Sequence, residues 1–173
     1  MAGAATLGSV DRMTGTWTVR TVDGAVVRLR SGSAGIMKID ITAPVSGGEL
    51  RIDGDSVRLT LRLALDQLRT GNFLTQAAAR KIISKYDAHV LAYDGAGQAG
   101  PPIRVGGHAI AAEIDVELDL TVTPVGPEGS PLDEIELLGS ASLGTVHLPI
   151  PGMGTIEDFS FDVDARLALR PSA

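Results

Sequence analysis

Glu113, Asp115, Glu117 and Asp119 alternate along one stretch of the chain. In an extended backbone such residues share a face at intervals of roughly 6.6 Å, near the separation an inverting glycosidase keeps between its acid and its base. The intervening Ile114, Val116 and Leu118 are all apolar, however, so the opposite face belongs to a core. The carboxylates then stand outside in water, opposite arginines such as Arg58, Arg62 or Arg166 on neighbouring strands. His89, His108 and His147 are the only histidines and share no metal-ligand spacing. Gly95-Ala-Gly97-Gln-Ala-Gly100 carries the letters of a dinucleotide fingerprint. That motif needs a helix to follow, and Pro101-Pro102 stands there instead, so the stretch reads as a flexible β-connection. Neither a Gly-x-Ser-x-Gly elbow nor a P-loop occurs, and the chain has no cysteine. The residues thus point to no enzymatic chemistry, metal or cofactor. One basic cluster remains: Arg69, Arg80, Lys81 and Lys85 flank Thr70-Gly71-Asn72, where the unpaired amides of a helix start attract anions. Arg69, Asn72 and Arg80 are the candidate anion or headgroup residues, with a merely solvated helix face as the competing reading.

The elements that must position these groups follow from composition and period. A chain of 173 residues favours one domain, and folding at this size buries roughly 70% of the unfolded surface. Hydrophobic residues make up 44% but aromatic ones only 3%, so the core is built from Val, Ile, Leu and Ala. A net charge of −6 argues against nucleic-acid binding. The N-terminal stretch has no basic region before an apolar run, and nowhere do about 18 apolar residues run together. A soluble, cytoplasmic protein is the expectation.

Alternation dominates. Val57, Leu59, Leu61, Leu63 and Leu65 mark one strand. Ile110 to Val122 reads as a second, spanning roughly 40 Å, and Phe159 to Leu169 as a third. Shorter strands are expected at Thr16–Val22, Ala25–Arg30, Gly35–Thr42, His89–Asp94, Asp133–Leu143 and Thr145–Ile150. Asp23-Gly24 signals a tight hairpin between the first two. One-sided polarity with short turns makes the sheet antiparallel. The period breaks once, where Asn72 caps a run of good helix formers, giving one inserted α-helix around residues 73–86. Gly95–Pro102 and Pro124–Pro131 read as loops. The single domain spans 14–170, with 1–13 as an N-terminal extension.

The order of these pieces, with Leu65-Asp-Gln-Leu-Arg-Thr70-Gly71-Asn72 leading into the helix and Tyr86-Asp-Ala-His-Val90 opening the next strand, resembles the YceI-like family. The chain reads Tyr86-Asp87 where the family commonly has Tyr-Pro. The resemblance implies an all-β, lipocalin-like antiparallel barrel of about eight strands. Its apolar cavity would hold an isoprenoid such as a prenyl quinone or a polyprenyl pyrophosphate, without catalysis, and the same architecture suggests a homodimer. Trp17, Val19, Leu59, Leu61, Leu63, Ile83, Val90, Ile114, Val116, Leu118, Phe161 and Val163 are then the candidate wall of a lipid site, each with ordinary core packing as its alternative. A scarcity of rings suits that reading, since aliphatic walls fit a branched aliphatic chain and each buried methylene contributes roughly 0.8 kcal/mol. The runner-up is a filled barrel serving as a self-associating structural or interaction module. A lipid-modifying enzyme, with His89 and His147 as the groups to inspect, is the third reading.

Overall fold

The computed structural model describes residues 14–21, 24–31, 40–70, 77, 80–81, 83–84, 87–100, 102–111, 114–127, 131–143, 146–147, 155–156 and 159–172. Twelve strands are described: β1 (Gly15–Val19), β2 (Val26–Ser31), β3 (Asp40–Asp53), β4 (Ser56–Ala64), β5 (Arg69–Thr70), β6 (Val90–Gln98), β7 (Ile103–Ala111), β8 (Ile114–Pro124), β9 (Glu134–Leu143), β10 (Val146–His147), β11 (Thr155–Ile156) and β12 (Phe159–Pro171). A single 3-10 turn, Leu65–Gln67, separates β4 from β5. Apart from the small β10–β11 ribbon, the strands form one sheet that closes on itself, because β12 pairs with β9 on one side and with β2 and β1 on the other. All of these pairings are antiparallel. The result is an eight-stave antiparallel barrel, the architecture that the resemblance implies, built from the one-sided strands that the alternation marks.

Two staves are composite. β1 and β2 are both antiparallel to β3 and to β12, so they run in the same direction and make one interrupted stave. The hairpin expected at Asp23-Gly24 is therefore corrected. Both edges of each segment are taken by β3 and β12, which leaves none for pairing with the other. In the same way β5 continues β4 along β3 beyond the 3-10 turn. Stepping through paired residues from Phe161 by way of Ala141, Leu118, Gly107, Gly95, Leu59, Leu50 and Trp17 returns to β12 at Pro171, ten residues further along. That stagger forces the strands to tilt against the barrel axis.

Strand directions define two ends. At one, here called the upper, lie the β3–β4, β6–β7 and β8–β9 connections, the tightest of them the Asp53-Gly54-Asp55-Ser56 turn. Gly54 takes a φ of +59° there, as the first position of a two-residue hairpin loop requires. The lower end holds the end of β2 at Ser31, the start of β3 at Asp40, the Leu65–Thr70 stretch and the start of β6 at Val90. Inward positions are mostly aliphatic, joined by Trp17, Tyr93 and Phe161, and form one core. Near the upper end they are large: Leu50, Ile52, Leu59, Ile135 and Leu167, all fully buried. Toward the lower end many are small, with Ala43, Ala109, Ala111 and Ala141 on the wall. Outward positions carry charge, including Arg58, Asp94, Asp115, Glu117, Asp164 and Arg166. This polarity is the reverse of a barrel that crosses a membrane on its strands. Among the described residues no helix is long and apolar enough to cross one either.

Several expected boundaries shift. Ile110 belongs to β7, not to the start of a long strand, because Ala111 pairs with Ile114 and the chain reverses between them. The alternation reads as continuous because Ile110 keeps the period, yet Ile110 faces outward and is 50% exposed. β3 covers 40–53 rather than 35–42, and β6 runs through Gln98, so Gly95 and Gly97 lie inside a strand rather than a loop. Their lack of a side chain is used. A Cβ at Gly95 would overlap the Tyr93 hydroxyl, and one at Gly97 the Arg104 carbonyl. Tyr93 lies over Gly95 and donates its hydroxyl hydrogen bond to the Leu118 carbonyl oxygen at 3.1 Å. Burial pushes its phenol well above the ordinary value. Tyr93→Phe is expected to destabilise by about 1 kcal/mol in urea unfolding, the net value of one buried hydrogen bond.

The expected helix over 73–86 falls mainly outside the described residues, and no continuous helix is described there. Ala77, Arg80, Lys81, Ile83 and Ser84 have helical backbone. The Ala88 amide donates to the Ile83 carbonyl at 2.9 Å, with Asp87 at a left-handed φ of +54°. The segment 1–13 lies outside the described residues.

Candidate lipid wall and rim cleft

The inner wall gathers most of the residues that the lipid reading needs. Trp17, Val19, Leu59, Leu61, Leu63, Leu118 and Val163 are inward and buried, while Val116 and Phe161 are inward and partly buried toward the lower end. Val90 is a correction. It opens β6 on the outer face, 48% exposed, because Leu91 and Tyr93 take the inward phase and a strand has period two. Ile83 is half-buried on the helical segment rather than on a stave. Ile114 has its backbone in β8, but its side chain lies outside the described residues, as does Asn72 altogether. Among the buried inward side chains, Tyr93 brings a hydroxyl, and the Leu118 carbonyl already accepts its hydrogen bond. Thr70, partly buried at the lower rim, shares the inward face of Ile41.

The basic cluster is partly brought together. A cleft of about 760 Å³ at the lower end is lined by Pro44, Asp66, Gln67, Leu68, Arg69, Thr70 and Arg80. Arg69 reaches it because β5 continues the β4 stave past the 3-10 turn, and Arg80 comes from the helical segment. Both arginines are exposed. A second hollow, of about 380 Å³, lies outside over the break between β1 and β2 and includes Arg20, Arg28, Glu134, Asp164 and Arg166.

Beside the first cleft, sequence reasoning names His89 but misses its partners. His89 has Nδ1 2.5 Å from Asp66 and Nε2 2.6 Å from Asp87. The Leu65 amide also donates to the His89 carbonyl, fastening the turn to the start of β6. Asp66, first, and Asp87 raise the imidazole above its ordinary value by hydrogen bonding. Asp87-x-His89 would have placed two groups on one face, but Asp66 lies in another element, and no spacing announces it.

His108, the other histidine with a described side chain, sits outside with Nδ1 2.8 Å from Asp115, and Asp115 with its hydrogen bond raises its imidazole too. It faces the β8 carboxylates where arginines were expected. Arg58 instead holds Asp94, at 2.6 Å, and Arg166 lies 3.6 Å from Glu136. The hydrogen bond from Arg58 holds the Asp94 carboxyl below its usual range. These pairs are solvent-exposed and add little to stability. The exposed position of His89 gives no support to catalysis inside the barrel, and the His147 side chain lies outside the described residues. Among the described residues no cluster of three or more His, Cys, Asp or Glu is arranged to hold a metal ion.

A scan against protein-family models finds no match for this chain, and a search of the curated proteins finds none either.

Proposed function

We propose that this barrel binds an isoprenoid lipid, a prenyl quinone or polyprenyl pyrophosphate, without catalysing a reaction on it. The carrying observation is the inner wall: apolar and mostly aliphatic, with the buried Tyr93 hydroxyl already bonded internally. Such a wall offers a ligand dispersion and desolvation but no polar handle, so it selects an apolar chain. Each methylene transferred there contributes roughly 0.8 kcal/mol. The upper half is packed with large side chains, which directs a tail to the lower half, where Ala43, Ala109, Ala111 and Ala141 each present a single methyl. The polar head then reaches the cleft of Arg69 and Arg80. The resemblance to the YceI-like family points the same way, and the cysteine-free composition is compatible with a carrier or store in a reducing cytosol. Native mass spectrometry and organic extraction of freshly purified protein are expected to reveal a prenyl species. An apo mass that stays unchanged after incubation with prenyl quinones would overturn the reading.

One observation favours the runner-up. Leu50, Leu59, Ile135, Leu137 and Leu167 leave no accessible wall in the upper half, as in a filled barrel. Val90 and Ile110, on adjacent staves, expose apolar surface outside. In that case the protein self-associates through an outer face. Light scattering would show a concentration-dependent dimer that Val90→Glu with Ile110→Glu dissociates, and no lipid would be recovered.

A further inference from the structure

The contact pattern of His89 has a chemical requirement. A neutral imidazole carries one N–H and one lone pair, and an ionised carboxylate only accepts. Both the Asp66 and the Asp87 bonds are therefore made only by the imidazolium. When His89 loses a proton, at least one carboxylate loses its partner. The elements joined are those that carry the cleft: Asp66 lies on the 3-10 turn just before Arg69, and Asp87 follows the helical segment that bears Arg80. Asp66 is itself a lining residue. The carboxylate that bonds His89 thus belongs to the cleft that the two arginines line. No hydrogen-bond partner is described for Arg69 or Arg80, whereas Arg28 and Arg58 each hold a carboxylate.

We propose that the lower-end cleft binds a doubly charged phosphate-type anion through Arg69 and Arg80, and that His89 gates it by withholding Asp66 when protonated and releasing it toward the arginines when neutral. The groups acting on His89 are Asp66 from the turn and Asp87 from its own approach. Arg69 and Arg80 line the same cleft as Asp66. With His89 charged, the cleft has an added cation and a masked carboxylate. With His89 neutral, Asp66 competes for the arginines and repels the ligand. Affinity accordingly falls as pH rises from about 6.5 upward, the ordinary histidine value that both carboxylates displace upward.

The inference deepens the lipid reading, since the anion would be a lipid headgroup or a free phosphate, and it is tested without a lipid. Sulfate serves as the probe because its charge is constant between pH 5.5 and 8.5. Chemical-shift titration is expected to show binding about fivefold weaker at the upper pH. Asp66→Asn should bind at the tighter level at both pH values, and His89→Asn at the weaker level at both. Arg69→Gln with Arg80→Gln should abolish binding. A flat wild-type profile, or undiminished binding by the double arginine variant, would overturn the proposal. Inorganic pyrophosphate and a prenyl pyrophosphate, compared at pH 6, separate the sources. Tighter binding of the prenyl form supports the headgroup assignment, and equal affinity supports the cleft while overturning that assignment.

Discussion

Leu137→Ala is expected to lower the unfolding free energy by about 2–5 kcal/mol, while the same substitution one residue later, Leu138→Ala, should change it by less than about 0.5 kcal/mol. The contrast follows from the pleat. Leu137 is fully buried on the inner wall, and Leu138 is 47% exposed on the outside of the same stave. Truncating Leu137 loses the transfer energy of its removed methyl groups. It also leaves a void that Leu120, Val122 and Leu167 on flanking staves are too constrained by their own pairing to close. Leu138 has none of these obligations. Urea unfolding of both variants reads the difference directly, and equal costs would mean that β9 is offset by one residue.

The second large effect comes from glycine. Gly139→Ala is expected to destabilise by about 1–3 kcal/mol, whereas Gly47→Ala should be neutral within about 0.5 kcal/mol. A Cβ at Gly139 would overlap the Asp119 carbonyl on β8, and backbone held in a ladder cannot step aside. The only relief is to part β8 from β9, which weakens neighbouring rungs. Gly47 stands at the irregularity in β3, where nothing lies within 4 Å of the added atom. Thermal melts of the pair check the claim. A costless Gly139→Ala would show that the close approach of β8 and β9 is dispensable.

The one-sided strands were legible where the alternation runs without fault. Val57 to Leu63 and Phe161 to Leu169 each show an apolar residue at every second place, and each proved to be a stave with that face inward. What failed was punctuation. Residues 112–113 carry no Gly or Asn to mark a reversal, so Ile110 was absorbed into the wrong strand. Conversely Asp23-Gly24 has the chemistry of a hairpin, but a turn residue reports local backbone freedom, not which edge remains open for pairing. Val90 was misplaced for a related reason: with aspartate, histidine and alanine just before it, the phase of β6 is set only by Leu91 and Tyr93. At the rim, Arg69 and Arg80 share a helix-start cluster visible in the sequence. Asp66 meets His89 only because the 3-10 turn folds back on the start of β6, and such long-range encounters have no signature in spacing.

The triple pairing of β12 governs when the protein becomes a barrel. This strand completes the seams with β9, β2 and β1, and the Ser172 amide donates to the Thr16 carbonyl across nearly the whole chain. During synthesis the first stave and β9 must therefore wait as open edges until residues 159–171 leave the ribosome. Closure is late, slow in the manner of high-contact-order folds, and exposed to strand-to-strand association meanwhile. A chain released before β12 would have two unpaired edges and an uncovered aliphatic face, which makes truncated product the form most prone to aggregate.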